Sequence, residues 1–151
     1  MMTAMVQLWR NVWEAPDMPF YYVQIAPYKY ENSSNTGAAL LREAQMEALK
    51  TIPNSGMVPT TDIGDEFCIH PPQKDVVGLR LATLALTKTY GIRRLPSNGP
   101  TMTKVDYADK KAIVTFDNAP AGLFPTFSEL EGFSACYAGL RRRGKNKGIY
   151  A

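Results

Sequence analysis

The feature that most limits how this chain can fold is a nearly unbroken apolar run, Phe20-Tyr21-Tyr22-Val23-Gln24-Ile25-Ala26, closed by Pro27. Aromatic and β-branched residues dominate it, and it does not alternate between apolar and polar positions. A strand with that composition is covered on both faces, the usual state of a strand in a parallel sheet with helices above and below. The flanking segments supply such helices. From about Thr3 to Glu14, Met5, Leu8, Trp9, Val12 and Trp13 share one helical face, a stripe best read as core packing, and Pro16 and Pro19 end the segment. Gly37 to Leu49 is predicted as a second helix, with Leu40, Leu41, Ala44, Ala48 and Leu49 on one side.

After the turn Pro53-Asn54-Ser55-Gly56, residues Met57 to Ile63 are predicted as a second strand, although Pro59 cannot donate to a ladder. Gln73 to Tyr90 is predicted as a third helix. Val76, Val77, Leu79, Leu81, Ala82, Leu84, Ala85 and Leu86 make it apolar over much of its circumference, so packing on several sides is expected. Pro71 and Pro72 precede it and Gly91 suits its C-terminal cap. Helix, strand, helix, strand, helix is the order of an α/β fold with right-handed crossovers.

The character changes after Pro96-Ser97-Asn98-Gly99-Pro100. Lys104-Val105-Asp106-Tyr107 and Ala112-Ile113-Val114-Thr115-Phe116 flank a short polar turn, the pattern of a β-hairpin. Asn118 to Ala151 has no clear periodicity and is read as β or irregular. The division expected from sequence is therefore 1–95 for the α/β part and 96–151 for a β-rich extension with a basic tail.

Composition excludes several classes. With 45% hydrophobic and 21% charged residues over 151 positions, the chain is globular. Its net charge of +3 owes much to Arg141, Arg142, Arg143, Lys145 and Lys147, a run without interleaved aromatics. That run is read as a solvated tail rather than a nucleic-acid site, which would need stacking platforms. No apolar run approaches the ~18 residues of a membrane span, and the first residues lack the basic and apolar regions of a signal peptide. Cys68 and Cys136 form no CxxC pair, so neither a zinc site nor a disulfide framework is expected, and no cofactor is implied.

The stretch richest in chemistry is Thr60-Thr61-Asp62-Ile63-Gly64-Asp65-Glu66-Phe67-Cys68-Ile69-His70-Pro71-Pro72-Gln73-Lys74. His70 is the chain's one histidine. It falls after a predicted parallel strand and before a helix, and ligands of open α/β sheets bind beyond the carboxyl ends of the strands. Asp62, Asp65 and Glu66 lie just upstream. A carboxylate accepting from one ring nitrogen would fix the tautomer and leave the other nitrogen as base. The competing reading, a structural or incidental histidine, stands beside this one. A metal role is disfavoured because no second histidine completes a zinc set.

In this region the sequence resembles the sialate O-acetylesterase branch of the SGNH hydrolases. The resemblance begins at Pro19-Phe20-Tyr21-Tyr22-Val23-Gln24-Ile25-Ala26-Pro27-Tyr28. It continues through Leu41-Arg42-Glu43-Ala44-Gln45 and Asp62-Ile63-Gly64-Asp65. It is most specific at Ile69-His70-Pro71-Pro72-Gln73-Lys74 and Val77-Gly78-Leu79-Arg80-Leu81-Ala82. It covers about the first 95 residues well and runs on more loosely through the hairpin. The resemblance implies a partial parallel-sheet α/β fold, flavodoxin-like with three layers, followed by a small β region. It implies an esterase removing acetyl groups from O-acetylated carbohydrates, with His70 as the catalytic histidine and a parent enzyme that is periplasmic or secreted.

Two departures from the family pattern bear on the site. Such enzymes commonly place the acid partner three residues before the histidine, and Phe67 stands there. Asp65 is the preferred substitute. Asp62 is the other candidate, with a turn or cap role as its alternative. The family's nucleophilic serine block is also not found. Ser33, Ser34, Ser55, Ser97, Ser128 and Ser134 lack its surroundings and are read as loop residues. The expectation is a C-terminal part of the hydrolase that supplies the base without the nucleophile and is inactive alone. The tail after Leu130-Glu131-Gly132-Phe133 departs from the family as well. An open sheet edge would allow self-association. The second hypothesis is a non-catalytic carbohydrate-binding or interaction module, in which Trp13, Tyr21, Tyr22, Tyr28 and Tyr30 serve as aromatic platforms rather than as core.

Overall fold

Strand β1 (Phe20–Val23) lies parallel to strand β2 (Ser55–Val58), with Phe20 opposite Ser55 and Val23 opposite Val58. In this computed structural model the described residues are 1–29, 37–108, 111–119, 122 and 149–150. Helices α1 (Met2–Val12), α2 (Gly37–Thr51) and α3 (Lys74–Lys88) alternate with the two strands in the order expected of α/β connections. Successive residues of a strand face opposite sides of its sheet, and β1 shows both sides in use. The Phe20 ring meets Trp9 of α1 at 6.0 Å, and the Tyr22 hydroxyl donates to the Gln45 carbonyl of α2 at 2.6 Å. On the other side Tyr21 is hydrogen-bonded to Thr89, just past α3, at 2.7 Å. Helices α1 and α2 therefore cover one face and α3 the other.

The strands are shorter than their apolar runs suggest, for reasons visible in the hydrogen bonds. The Gln24 N–H still donates to the Val58 carbonyl, but the Ile25 N–H donates to the Gln45 side chain of α2. Phe20 and Gln24 donate towards β2, so the Ile25 N–H points to the opposite edge of β1, where Gln45 satisfies it, and Pro27 has no N–H to extend that edge. Strand β2 starts earlier than predicted, at Ser55, and stops before Pro59.

The buried hydrophobic side chains among the described residues are Val6, Ile52, Val58, Ile63 and Leu84. Leu84 packs against the close approach at Gly56, where a Cβ would lie 2.8 Å from Leu84 Cδ2 and 3.0 Å from Tyr21 Cδ1. Arg10 is buried too. Its guanidinium donates to the Met18 carbonyl, from Nε at 3.0 Å and from Nη2 at 2.8 Å, and to the Pro53 carbonyl at 2.7 Å. One side chain so ties the exit of α1 to the turn before β2. Helix α1 ends with Glu14 at φ 51 and the Ala15 N–H bonded back to the Arg10 carbonyl, an αL termination. Gly91 closes α3 in the same way, at φ 69 with Ile92 N–H on the Leu86 carbonyl. The expectation that α3 packs on several sides is not met among the described residues: Leu84 is buried, but Leu79 is 68% exposed.

Contacts divide the chain into two units, Met1–Ser97 and Asn98–Ala151. In the second, β3 (Thr101–Ala108) and β4 (Lys111–Asp117) form an antiparallel hairpin with a register shift between Met102 and Lys104. Ala112, Val114 and Phe116 alternate with exposed neighbours along β4, the period of a strand with one covered face. Strand β5 (Ile149–Tyr150) pairs parallel to β4. The polar loop 30–36 with Tyr30, Ser33 and Ser34, the hairpin tip, Ser128, Ser134, Cys136, the Leu130 to Phe133 segment and the basic run Arg141 to Lys147 lie outside the described residues.

Two substitutions test this packing by urea denaturation. Leu84→Ala is expected to cost about 2–4 kcal/mol, because it opens a cavity against Gly56. Gly78→Ala, in the middle of α3 where a Cβ meets nothing within 4 Å, is expected to gain about 0.5–1 kcal/mol.

Candidate active site

The carboxyl ends of β1 and β2 leave the sheet side by side and stay joined. The buried Thr60 hydroxyl donates to the Gln24 carbonyl at 2.9 Å, and the Gln24 amide donates to the Arg42 carbonyl of α2 at 3.0 Å. The chain after β1 then packs on the chain after β2. Gly64 sits so close to the Pro27 ring that a Cβ would come within 2.5 Å of it. The Lys29 N–H donates to the Glu66 carbonyl at 3.0 Å, its ammonium pairs with the Glu66 carboxylate at 3.2 Å, and it lies 5.5 Å from the Phe67 ring centroid.

His70 stands in the loop from β2 to α3, on the side of the strands' carboxyl ends, with an exposed side chain. Its flanks are fixed locally. Pro71 behind it is buried, and the Lys74 N–H donates to the Pro72 carbonyl at 2.7 Å where α3 begins. The Cys68 thiol donates to the His70 carbonyl at 3.2 Å. Exposed Phe67 and Ile69 border it. Among the described residues no hydrogen bond engages the imidazole, so both ring nitrogens are open.

The acidic residues have separate duties. Asp65 Oδ1 accepts from the Phe67 N–H at 2.7 Å and the Cys68 N–H at 2.9 Å, an Asx-type turn that shapes the backbone leading to His70. No hydrogen bond joins Asp65 to the ring. Asp62 is held by Arg80 of α3, which donates to Oδ1 at 2.8 Å and to Oδ2 at 2.5 Å. The Arg80 hydrogen bonds hold the Asp62 carboxyl below its ordinary range, and Asp62 in turn raises Arg80 above its own. Glu66 is paired with Lys29. Among the described residues no three His, Cys, Asp or Glu side chains are grouped to hold a metal ion, and no helix is long and apolar enough to cross a membrane.

Arg80 has no role in the sequence reading beyond its place in the motif Val77 to Ala82. Its partner is far back in the chain, and nothing in helical periodicity pairs a mid-helix arginine with one aspartate rather than another. Lys29 was likewise hidden in a polar loop.

Comparisons with known proteins bear on the family and the fold. No family model matches the chain. It is 31% identical over 97 residues to the sialate O-acetylesterase of Mus musculus, covering 58% of this chain and 18% of that protein. It is 29% identical over 110 residues to the sialate O-acetylesterase of Rattus norvegicus, covering 66% and 20%. Among solved structures, a carbohydrate acetylesterase from Xanthomonas citri is 34% identical with a TM-score of 0.69, over 77% of this chain and 27% of that one. The chain therefore spans about a fifth of the curated relatives it matches. By fold and by sequence it is similar to the carbohydrate esterases, with an α/β architecture. Within that class its resemblance is to the sialate O-acetylesterases.

The Asp62–Arg80 pair makes a pH-dependent contribution to stability. Because the carboxyl of Asp62 is lowered in the folded state, the contribution is complete above the unfolded value near ~3.9 and is lost as pH falls through the lowered folded value. The pair is only partly buried, so about 0.5–1 kcal/mol is expected. Unfolding free energies from urea titrations of the unmutated chain and Asp62→Asn should differ by that amount at about pH 6, and the difference should shrink as pH falls below about 4.

Proposed function

We propose that this chain is the C-terminal part of a carbohydrate O-acetylesterase of the sialate O-acetylesterase kind, and that it supplies the general base, His70. The observation that carries the reading is an exposed imidazole, with no hydrogen bond among the described residues, in the loop beyond the carboxyl end of a parallel strand and shortly before a helix. The family-like stretch Ile69-His70-Pro71-Pro72-Gln73-Lys74 and the similarity to carbohydrate esterases support it.

In the proposed reaction the free ring nitrogen of His70 takes the proton of a serine hydroxyl. The serine, supplied by the remainder of the hydrolase, attacks the acetyl carbonyl carbon. The tetrahedral oxyanion collapses, the bond to the sugar oxygen breaks, and His70 returns the proton to that oxygen. A water molecule, deprotonated by the same nitrogen, then releases acetate from the serine. Asp65 is the proposed acid partner. Its Oδ1 is committed to the Phe67 and Cys68 N–H groups, so its proposed contribution is to hold the backbone that presents His70. The substrate class is O-acetylated carbohydrate, and the parent enzyme is proposed to work in the periplasm or outside the cell. The relatives do not favour the alternative of a non-catalytic carbohydrate-binding or interaction module. Self-association is proposed through β1, whose second edge has no partner strand among the described residues.

The test joins this chain to the serine-bearing portion of an acetylesterase such as that of Xanthomonas citri and follows hydrolysis of 4-nitrophenyl acetate. The joined protein is expected to turn over. His70→Ala and the near-isosteric His70→Gln should each reduce kcat by about 10²–10⁴-fold. Unchanged turnover in both variants would refute the role of His70.

A further inference from the structure

Arg80 lies in the middle of α3 and reaches back to the exit of β2. Its Nη1 donates to the Pro59 carbonyl at 2.8 Å as well as to Asp62 Oδ1 at 2.8 Å, while Nη2 takes Asp62 Oδ2 at 2.5 Å. Three bonds from one planar guanidinium fix orientation as well as distance, because the donor fork is rigid. Pro59 is the first residue past β2, and Asp62 stands between it and the His70 turn. The loop's far end runs through Pro71 and Pro72 into Lys74, the first residue of α3. Both ends of the segment carrying His70 are thus held by one rigid element: the upstream end by Arg80, the downstream end by the first turn of the same helix.

The pair's exposure argues that stability is not its main effect. The Asp62 side chain is 58% exposed and that of Arg80 30%, a setting in which ion pairs contribute little. What the three bonds do supply is a fixed path for the backbone. They also occupy both oxygens of Asp62, so this aspartate does not compete for the imidazole. A lysine at position 80 would bring a point charge on a flexible stem and could not hold a carboxylate and a carbonyl in one plane.

We propose that Arg80 is a positioning residue for His70: by clamping Pro59 and Asp62 onto α3, it sets the place from which the imidazole meets its substrate. The proposal rests on the reading of His70 as the base. Two readouts test it. In the joined esterase described above, Arg80→Met is expected to lower kcat on 4-nitrophenyl acetate about tenfold with KM within about twofold, the mark of lost alignment rather than lost binding. Asp62→Asn should do most of the same, the double variant should be no worse than Arg80→Met, and Arg80→Lys should recover only part. In the chain alone, amide hydrogen exchange should quicken over residues 62–70 in Arg80→Met while the centre of α3 keeps its protection. Full turnover in Arg80→Met alongside loss of turnover in His70→Ala overturns the positioning role alone. Unchanged exchange over 62–70 overturns it as well. Full turnover in both Arg80→Met and His70→Ala overturns the base assignment on which it rests.

Discussion

The parallel pairing of β1 with β2 is the constraint from which the rest of the first unit follows. It sends both chain exits off the same edge of the sheet, and everything of chemical interest is built from those exits. The pairing is fixed by more than its own short ladder. Gly56 lets Leu84 of α3 and the ring of Tyr21 press onto the strand where a Cβ would collide with both. The Gln24 N–H carries the ladder to the Val58 carbonyl, and the Ile25 N–H on the outer edge of β1 is bonded to Gln45 of α2. A slip of one residue would turn Tyr21 and Tyr22 to the wrong faces and break their hydrogen bonds to Thr89 and Gln45 together.

Beyond the sheet, the site loop is a chain of local constraints rather than a packed core. Thr60 anchors its start on Gln24, Gly64 fits under Pro27, Asp65 turns the backbone, and Pro71 seals its end. Each is a small contribution, and most are at or near solvent. Together they leave an imidazole exposed at the mouth of the sheet without burying it. That fits the proposed role of His70 as a base, which needs reach to the proton it takes.

Much of this architecture could be read from the sequence because its signals are local. The apolar run at Phe20, the helical spacing of Leu40, Leu41 and Ala44, the cap at Gly91 and the proline-started helix after His70 all act within a few residues of themselves. The strand ends were misplaced because they depend on partners distant in sequence: β1 pairs only as far as the Val58 carbonyl, and β2 begins at Ser55 because Phe20 lies across from it. The packing expected around α3 was overread from composition, since apolar residues on a helix do not say which face finds a neighbour. In the site, the place of His70 followed from strand-loop-helix order, whereas the division of labour among Asp62, Asp65 and Glu66 did not. That division is set by Arg80 and Lys29, long side chains arriving from other elements. Their partners are chosen by the fold and leave no pattern in the sequence.

The central claim is that His70 is an open, reactive imidazole at the working edge of the sheet. Reaction with diethyl pyrocarbonate tests it directly, because the chain holds one histidine and the ring absorbance therefore reports a single group. The account predicts one imidazole per chain, modified in the folded protein, with esterase turnover of the joined protein lost in step with that modification. A ring that resists the reagent in the folded chain, or complete modification that leaves hydrolysis intact, would contradict it.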